Sequence, residues 1–306
     1  MSFNCKECGQ DFETLRSLHA HIKKHKMFLG DYYVKHFARK NKLTGDLLPF
    51  KNYDEYFGKD FSQPHQLMEW CNTAKESDVK EYIAELLSNR VQEKDLNYGP
   101  TELELLTSGL PPVDIYKKYF GSYTAVCEKC GVKPLLGKNL PKDFFNDYSN
   151  VKVLIDTREQ QPLKFKNSEK YKSDVGDYSV ESSDYDYTHV DRKSFGDFCG
   201  TTTVGYARFC KELERCRALG CYLFVVMEIP FEGIEELNKK SYKKYKLEYV
   251  FHNTRKLQKE YSDCCQFVFS GSRDMSELLI PKLLVMGKQL WETDINYFWA
   301  KYLKEK

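Results

Sequence analysis

No apolar run in this 306-residue chain reaches the roughly 18–20 residues that a membrane-spanning helix needs. The N-terminus also lacks the apolar core of a secretory signal. Net charge is nearly absent, at +2, so no overall field marks a nucleic-acid partner. The eleven cysteines follow no regular disulfide framework, and in a chain this long they read as reduced, mostly buried thiols. These absences exclude a membrane span and a disulfide scaffold. They imply an intracellular protein: cytoplasm or nucleoid in a prokaryote or phage, nucleus in a eukaryote. Disorder is excluded as well, because 41% hydrophobic and 30% charged residues suit packed soluble domains. Two or three compact units fit the length.

What is present is unevenly distributed. Residues 1–42 carry nine Lys/Arg against four Asp/Glu, and residues 51–97 carry six against ten. A basic N-terminus therefore precedes an acidic segment. Within the basic part, Cys5-x2-Cys8-x12-His21-x3-His25 sets two thiolates and two imidazoles at a spacing suited to tetrahedral zinc. His21 and His25 lie one helical turn apart, and Phe12 and Leu18 supply an apolar plug. The run resembles a C2H2 zinc finger over residues 1–28. The positions that read bases in such fingers are Thr14, Ser17 and Ala20 here, none of which makes a bidentate contact to guanine. Arg16, Lys23, Lys24 and Lys26 suit phosphates. Weakly specific DNA binding is expected, with protein binding as the alternative.

Residues 29–96 read as a helical linker region. Ser62-Gln63-Pro64 suits one helix start and Ser77-Asp78 another. From Asn97 a helix, a Gly/Pro turn, a second helix and Phe120-Gly121-Ser122-Tyr123 lead into a third helix. Residues 97–137 resemble the short helical repeat associated with homing endonucleases. That resemblance implies a DNA-binding unit in which Lys117, Lys118, Lys129 and Tyr123 are candidate contacts. Cys127-x2-Cys130 falls in the third helix with no second ligand pair nearby, and reads as packing rather than zinc.

The C-terminal half, 150–306, opens on a strand ending in charge, Val151 to Asp156. The run VGDYSVESSDYDYTHVDRK then reads as two strands around a polar turn, Ser182–Asp186. Opposed residues in an antiparallel hairpin have a constant index sum. If the turn centres on Asp184, Asp177 faces Asp191. Side chains alternate along a strand, so Asp191 and Lys193 share a face and Arg192 takes the other. Two carboxylates at one spot repel unless a cation sits between them, and hard divalent ions favour such oxygen ligands. A neighbouring lysine can orient a water or offset charge on a phosphate. Metal-assisted phosphodiester hydrolysis fits this arrangement. A solvated surface ion pair, usually worth about 0–1 kcal/mol, fits it equally well when the hairpin is read alone. The run Lys239–Lys246 interleaves cations with tyrosines, as a phosphate track with base stacking or as a solvated loop. Cys264-Cys265 reads as strand-edge packing.

A longer pattern resembles the nuclease motif of the XPF family: Asp156-x-Arg158-Glu159, then Gly176-Asp177, then Asp191-Arg192-Lys193 and Asp197. Arg208 falls where that family has an Arg opening a helix, and the likeness runs from about Val151 to Gly287. It implies a restriction-endonuclease-like α/β/α core of PD-(D/E)xK type. The expected fold is thus multidomain: ββα zinc finger, helical middle, α/β nuclease domain. The resemblance implies Mg²⁺ or Mn²⁺ on Asp177, Asp191 and Asp156, with Glu159 completing the acidic set and Lys193 serving the attacking water. Arg158, Arg192 and Arg208 would support the site or the DNA backbone, and Asp197 the turn beyond. Aspartate stands at 191 where the family has glutamate. The chain ends at Lys306, too soon for the tandem helix-hairpin-helix units that XPF-type enzymes carry, so the finger and the repeat would supply the grip. A homodimer or heterodimer through the nuclease domain is compatible with the resemblance. The implied activity is a structure-specific DNA endonuclease of repair or recombination, acting on branched or flap DNA. The alternatives are a site-specific mobile-element nuclease and a DNA-binding scaffold with a relic nuclease fold.

Overall fold

The computed structural model describes residues 2–182 and 186–305, in two compact units, Met1–Glu85 and Leu86–Lys306. Among the described residues no helix is long and apolar enough to cross a membrane.

In the first unit, strands β1 (Phe3–Asn4) and β2 (Asp11–Phe12) pair antiparallel and lead into α1 (Leu15–Ile22). Thr14 caps α1, its side chain accepting from Ser17 N–H. Helices α2 (Leu29–His36), α3 (Tyr53–Gly58) and α4 (Pro64–Thr73) follow, and the division between the units falls within α5 (Glu76–Glu93). The start of α4 has the expected Gln63-Pro64 signal: Gln66 Oε1 accepts from Gln63 N–H at 3.0 Å, and Pro64 opens the helix. The expected boundary at residue 28 is not a boundary of the core. Cys5, Leu18 and Ile22 are buried in one cluster with Tyr32, Tyr33, Leu48 and Tyr56. A unit as small as a finger buries little apolar surface, and here its open face is covered by α2 and α3.

The second unit begins with α6 (Glu102–Thr107), α7 (Val113–Phe120) and α8 (Tyr123–Lys129). The Gly121-Ser122 turn works as punctuation. Gly121 takes a φ of +79° and ends α7, and Ser122 Oγ accepts from Ala125 N–H and starts α8. Cys127 is buried in α8, its thiol pushed up to about 12 by burial, which suits packing rather than metal.

A six-stranded mixed sheet follows, built from β3 (Lys152–Asp156), β4 (Asn167–Tyr171), β5 (Tyr178–Val180), β6 (Thr188–Lys193), β7 (Tyr222–Met227) and β8 (Cys265–Phe269). Its order is β4-β3-β5-β6-β7-β8. The pairs β3–β4, β6–β7 and β7–β8 are parallel, while β3–β5 and β5–β6 are antiparallel. Helices α9 (Phe195–Thr202), α10 (Tyr206–Ala218), α11 (Ile234–Lys240), α12 (Leu247–Glu260), α13 (Arg273–Met286) and α14 (Ile295–Glu305) complete the unit. All six β7 residues are buried, as expected for a strand with helices on both faces. Leu223, Val225 and Met227 join a core with Phe198, Phe209, Leu213 and Val250 from α9, α10 and α12. Tyr222, Phe224 and Val226 join the opposite core with Leu279, Ile280 and Leu283 from α13 and Trp299 from α14. The result is a mixed α/β fold around a central sheet.

Helices α6–α8 belong to this same unit rather than to a separate one. Asp294 Oδ2 accepts from Glu102 N–H at 2.7 Å, Arg255 donates to Thr107 O at 2.8 Å, and Leu103 is buried in the α9–α10 core. Two buried acids meet at this junction. Glu102 Oε2 accepts from Val113 N–H at 2.8 Å. Burial pushes the Glu102 carboxyl up to about 8, with the charge of Asp294 adding to the effect, and burial pushes Asp294 up to about 6. Both therefore keep protons in the folded chain that the unfolded chain loses near 4.5 and 3.8. Stability from this junction is complete below those ordinary values and declines as pH rises through 6 towards 8. The Glu102→Gln protein is expected to lose much of this dependence. Its melting temperature, followed from mildly acidic to mildly basic pH, should fall less than wild type by several degrees, at about 2–4 °C per kcal/mol. Parallel melting curves would remove these acids as the cause.

Candidate active site and metal centre

The candidate active site forms at the ends of β5 and β6. Tyr178 pairs with Val190, which is the index sum expected for the hairpin. The turn proposed around Asp184 lies outside the described residues. Gly176 explains why Gly precedes Asp177. Its φ is +64°, and a Cβ there would meet Val190 O at 2.8 Å. The bare backbone lets the chain enter β5 hard against β6, with Asp177 N–H donating to Val190 O at 2.8 Å. Asp177 Oδ2 in turn accepts from Arg192 N–H at 2.8 Å.

On β6, Asp191 and Lys193 pair with Val225 and Met227, on the α9–α10 side, and Arg192 pairs with Val226 on the α13 side. Lys193 Nζ donates to Asp191 Oδ1 at 2.8 Å and lies 2.6 Å from Oδ2, which is buried and receives no properly directed hydrogen bond. The same ammonium stands 5.8 Å from the Phe209 ring. Burial opposes its charge, but Asp191 holds its pKa above the ordinary lysine value, so Lys193 is a cation. Asp177 is pushed up to about 8, by burial first and then by the charge of Asp191. Two carboxylates thus crowd each other in a half-buried place.

Arg158, Glu159, Asp177, Asp191, Arg192, Lys193, Asp197 and Arg208 line an open cleft of about 360 Å³ there. Asp156 is not among them. Its carboxylate accepts from Arg158 N–H at 2.6 Å and Nε at 2.9 Å on Oδ1, and from Arg158 Nη2 at 2.6 Å and Ser173 N–H at 3.1 Å on Oδ2. The Arg158 side chain holds the Asp156 carboxyl below its ordinary range. Asp156 therefore fixes Arg158 at the rim. Glu159 is likewise engaged, accepting from Gln161 N–H at 2.6 Å and from Arg192 Nη2 at 3.2 Å. Arg192 also donates to Glu228 at 3.0 Å, which takes a second bond from Arg273 at 3.0 Å. This network ties the Arg192 guanidinium to Glu159 and Glu228 at the edge of the cleft. Asp197 accepts from Ser194 Oγ at 2.6 Å in the first turn of α9.

Two acids escape the sequence reading. Glu228 follows six apolar β7 residues, and a charge at the end of such a run is a recognisable signal. Glu212 lies one helical turn after Arg208 on α10, beside the buried stripe Phe209, Leu213 and Cys216. Its carboxyl is raised by burial and then by the charge of Asp191, so it faces the same charges as the cleft. Only the packing of α10 reveals that. Two of the expected DNA contacts of the repeat are hydrogen-bonded within the unit, although Lys117 stays exposed. Lys117 donates to Tyr297 Oη at 3.0 Å, and Tyr123 Oη donates to Pro100 O at 2.6 Å. Lys118 lies 5.0 Å from the Tyr119 ring.

The donor set fits a hard divalent cation in the cleft, because Asp177 and Asp191 are neighbouring carboxylates and a cation between them would relieve the repulsion that helps raise Asp177. The structure brings these two together and leaves Asp156 outside the pair. In the first unit, Cys5, Cys8, His21 and His25 present ligand atoms within 4.8 Å of one another. Cys5 Sγ is 3.5 Å from His25 Nε2, Cys8 Sγ is 3.1 Å from His21 Nε2, and the two Nε2 atoms are 3.0 Å apart. A convergent S2N2 set of this size fits tetrahedral zinc.

No family model matches the sequence, and no curated protein matches it. Solved structures are similar over part of the chain, among them two of one protein. XPF from Aeropyrum pernix is 19% identical, covering 46% of this chain and 68% of its own with a TM-score of 0.32. XPF from Aeropyrum pernix in complex with DNA is 19% identical, covering 45% and 66% with a TM-score of 0.33.

Proposed function

We propose that this protein is a divalent-metal-dependent DNA endonuclease that acts on branched, flap or junction DNA, as used in repair or recombination. The observation that carries the reading is the Asp177–Asp191–Lys193 grouping in an open cleft rimmed by Arg158 and Arg208. Asp177 and Asp191 would hold Mg²⁺ or Mn²⁺. When bound, such an ion polarises a phosphoryl oxygen and lowers the pKa of water.

The protein's own residues do the rest. Lys193, held charged by Asp191, sits where it can orient the attacking water and offset charge developing on a non-bridging phosphate oxygen. Arg158, clamped by Asp156, and Arg208 at the start of α10 meet the flanking backbone phosphates. Arg192 is a positioning residue. Its N–H fixes Asp177, and its guanidinium ties β6 to Glu159 and Glu228. The four-ligand cluster of the first unit would hold structural Zn²⁺, with Arg16 exposed on α1 and Lys23 and Lys24 exposed just after it for phosphates. Residues 97–137 act with the sheet domain as one body, with Lys118 and Lys129 on the surface for DNA.

The test is cleavage of flap, fork, four-way junction and plain duplex substrates with Mg²⁺ or Mn²⁺, with products mapped at single-nucleotide resolution. Cuts near the branch, with plain duplex at least about tenfold slower, a difference of about 1.4 kcal/mol, are the expected result. Binding without cutting under either metal would leave only a scaffold. Cuts confined to one long sequence, whatever its shape, would select a mobile-element nuclease.

A further inference from the structure

The run Lys239–Lys246 takes no part in the site described above, yet its base is built against it. Asn238 closes the run into a loop, its Nδ2 donating to Tyr245 O at 2.8 Å and its Oδ1 accepting from Tyr245 N–H at 2.9 Å. The Tyr245 ring packs edge-on against Phe195, with centroids 5.9 Å apart. Phe195 is the first residue of α9, two positions after Lys193. Burial raises the Tyr245 hydroxyl, with the Cys199 thiol of α9 and then the Asp197 carboxylate of the cleft adding to it. The base of the loop therefore stands at the α9 edge of the cleft.

Its tip has the opposite character. Tyr242 is fully exposed, and Lys240, Lys243 and Lys246 are exposed around it. The acids nearby are Glu235, Glu236 and Glu248, of which Glu236 pairs with Lys239 at 2.6 Å. Lys244 donates to the carbonyls of Lys239 and Ser241, so it shapes the loop. A fully solvated aromatic ring contributes nothing to the core, and three surrounding cations carry it at the rim of a cleft suited to phosphodiesters.

We propose that this loop is a track for a single-stranded nucleic-acid segment entering or leaving the cleft. Lys240, Lys243 and Lys246 contact successive phosphates, and the Tyr242 ring stacks on an unpaired base. Duplex DNA does not fit, because its base faces are already stacked, whereas an unpaired base offers a bare π-face. The role of the cleft in this picture rests on the nuclease reading, but binding to the loop does not.

The test uses the full-length protein without added divalent metal and an oligothymidylate of about 16 nucleotides, read by fluorescence anisotropy. Tyr242→Ala is expected to weaken binding about tenfold, and Tyr242→Phe to restore it. Lys240→Ala, Lys243→Ala and Lys246→Ala combined should reduce the slope of log affinity against log salt by about 2. All substituted side chains are exposed, so unchanged melting temperatures confirm intact folding. Unchanged oligothymidylate affinity and salt slope overturn the proposal, as does a loss confined to plain duplex. Weakened single-strand binding in a protein that cuts nothing would uphold the loop and remove the nuclease reading. Intact cleavage with unaltered single-strand binding would do the reverse.

Discussion

Replacing Asp177 by Asn is expected to slow DNA cleavage by at least about 10³-fold at saturating Mg²⁺ while leaving the protein as stable as wild type or more so. The rate loss follows from removing one of two carboxylates that would hold the metal, a contribution of several kcal/mol at about 1.4 kcal/mol per decade. The stability gain follows from the crowding at the site. Asp177 is pushed up to about 8 by burial and by the charge of Asp191, so near neutral pH the metal-free fold must take up a proton there, a cost that Asn lacks. Asn keeps an acceptor for Arg192 N–H, now 2.8 Å from Asp177 Oδ2, so the turn should survive. The measurement is paired: cleavage rate, and melting temperature with and without Mg²⁺. Wild type should gain several degrees on adding metal and the variant little. Equal metal-induced shifts in the two proteins would show that Asp177 holds no ion.

Stripping the zinc proposed for the four-ligand cluster, or replacing Cys8 by Ser, is expected to unfold far more than a finger. Apparent zinc-binding free energies of about 10–16 kcal/mol are folding free energies in small fingers. Here Cys5, Leu18 and Ile22 share their core with Tyr32, Tyr33, Leu48 and Tyr56. Tyr32 Oη also accepts from Lys6 N–H at 2.8 Å, in the loop between the two cysteines. Loss of the ion should therefore open the chain to about Gly58. Purified protein should carry one zinc per chain by elemental analysis. After chelation, limited proteolysis should cut within residues 1–58 and spare Leu86–Lys306. Continued protection of residues 29–58 would show that the aromatic core holds without the metal.

These expectations differ in how early they could be read. The charge alternation on β6, the hairpin index sum and the Cys-Cys-His-His spacing are local patterns, and the sequence states them outright. The role of Asp156 is not local in that sense. A carboxylate and an arginine two residues apart in a turn can close on each other, and the turn after β3 makes them do so. The β4 strand is invisible for another reason. All five of its residues are exposed, so it has no apolar period to betray it. Glu212 comes under the charge of Asp191 only through the docking of α10, and Lys117 and Tyr123 find their partners only because α14 and Pro100 lie beside them. Alternation along a strand, hairpin register and ligand spacing were legible; the closing of a turn, an exposed strand and the meeting of elements distant in sequence were not.

The junction between α6–α8 and the sheet has a consequence for anyone who would graft this protein. A fragment starting after residue 137 would strand Asp294 without the Glu102 donor, leave Arg255 without Thr107 O, and open the seat of Leu103 beside Phe209 and Val250. Uncompensated buried groups cost about 1–3 kcal/mol each, against a total stability of only about 5–15 kcal/mol. The transplantable cassette is therefore the whole of Leu86–Lys306, and chimeras joined at the motif boundary near 150 would inherit a wounded core.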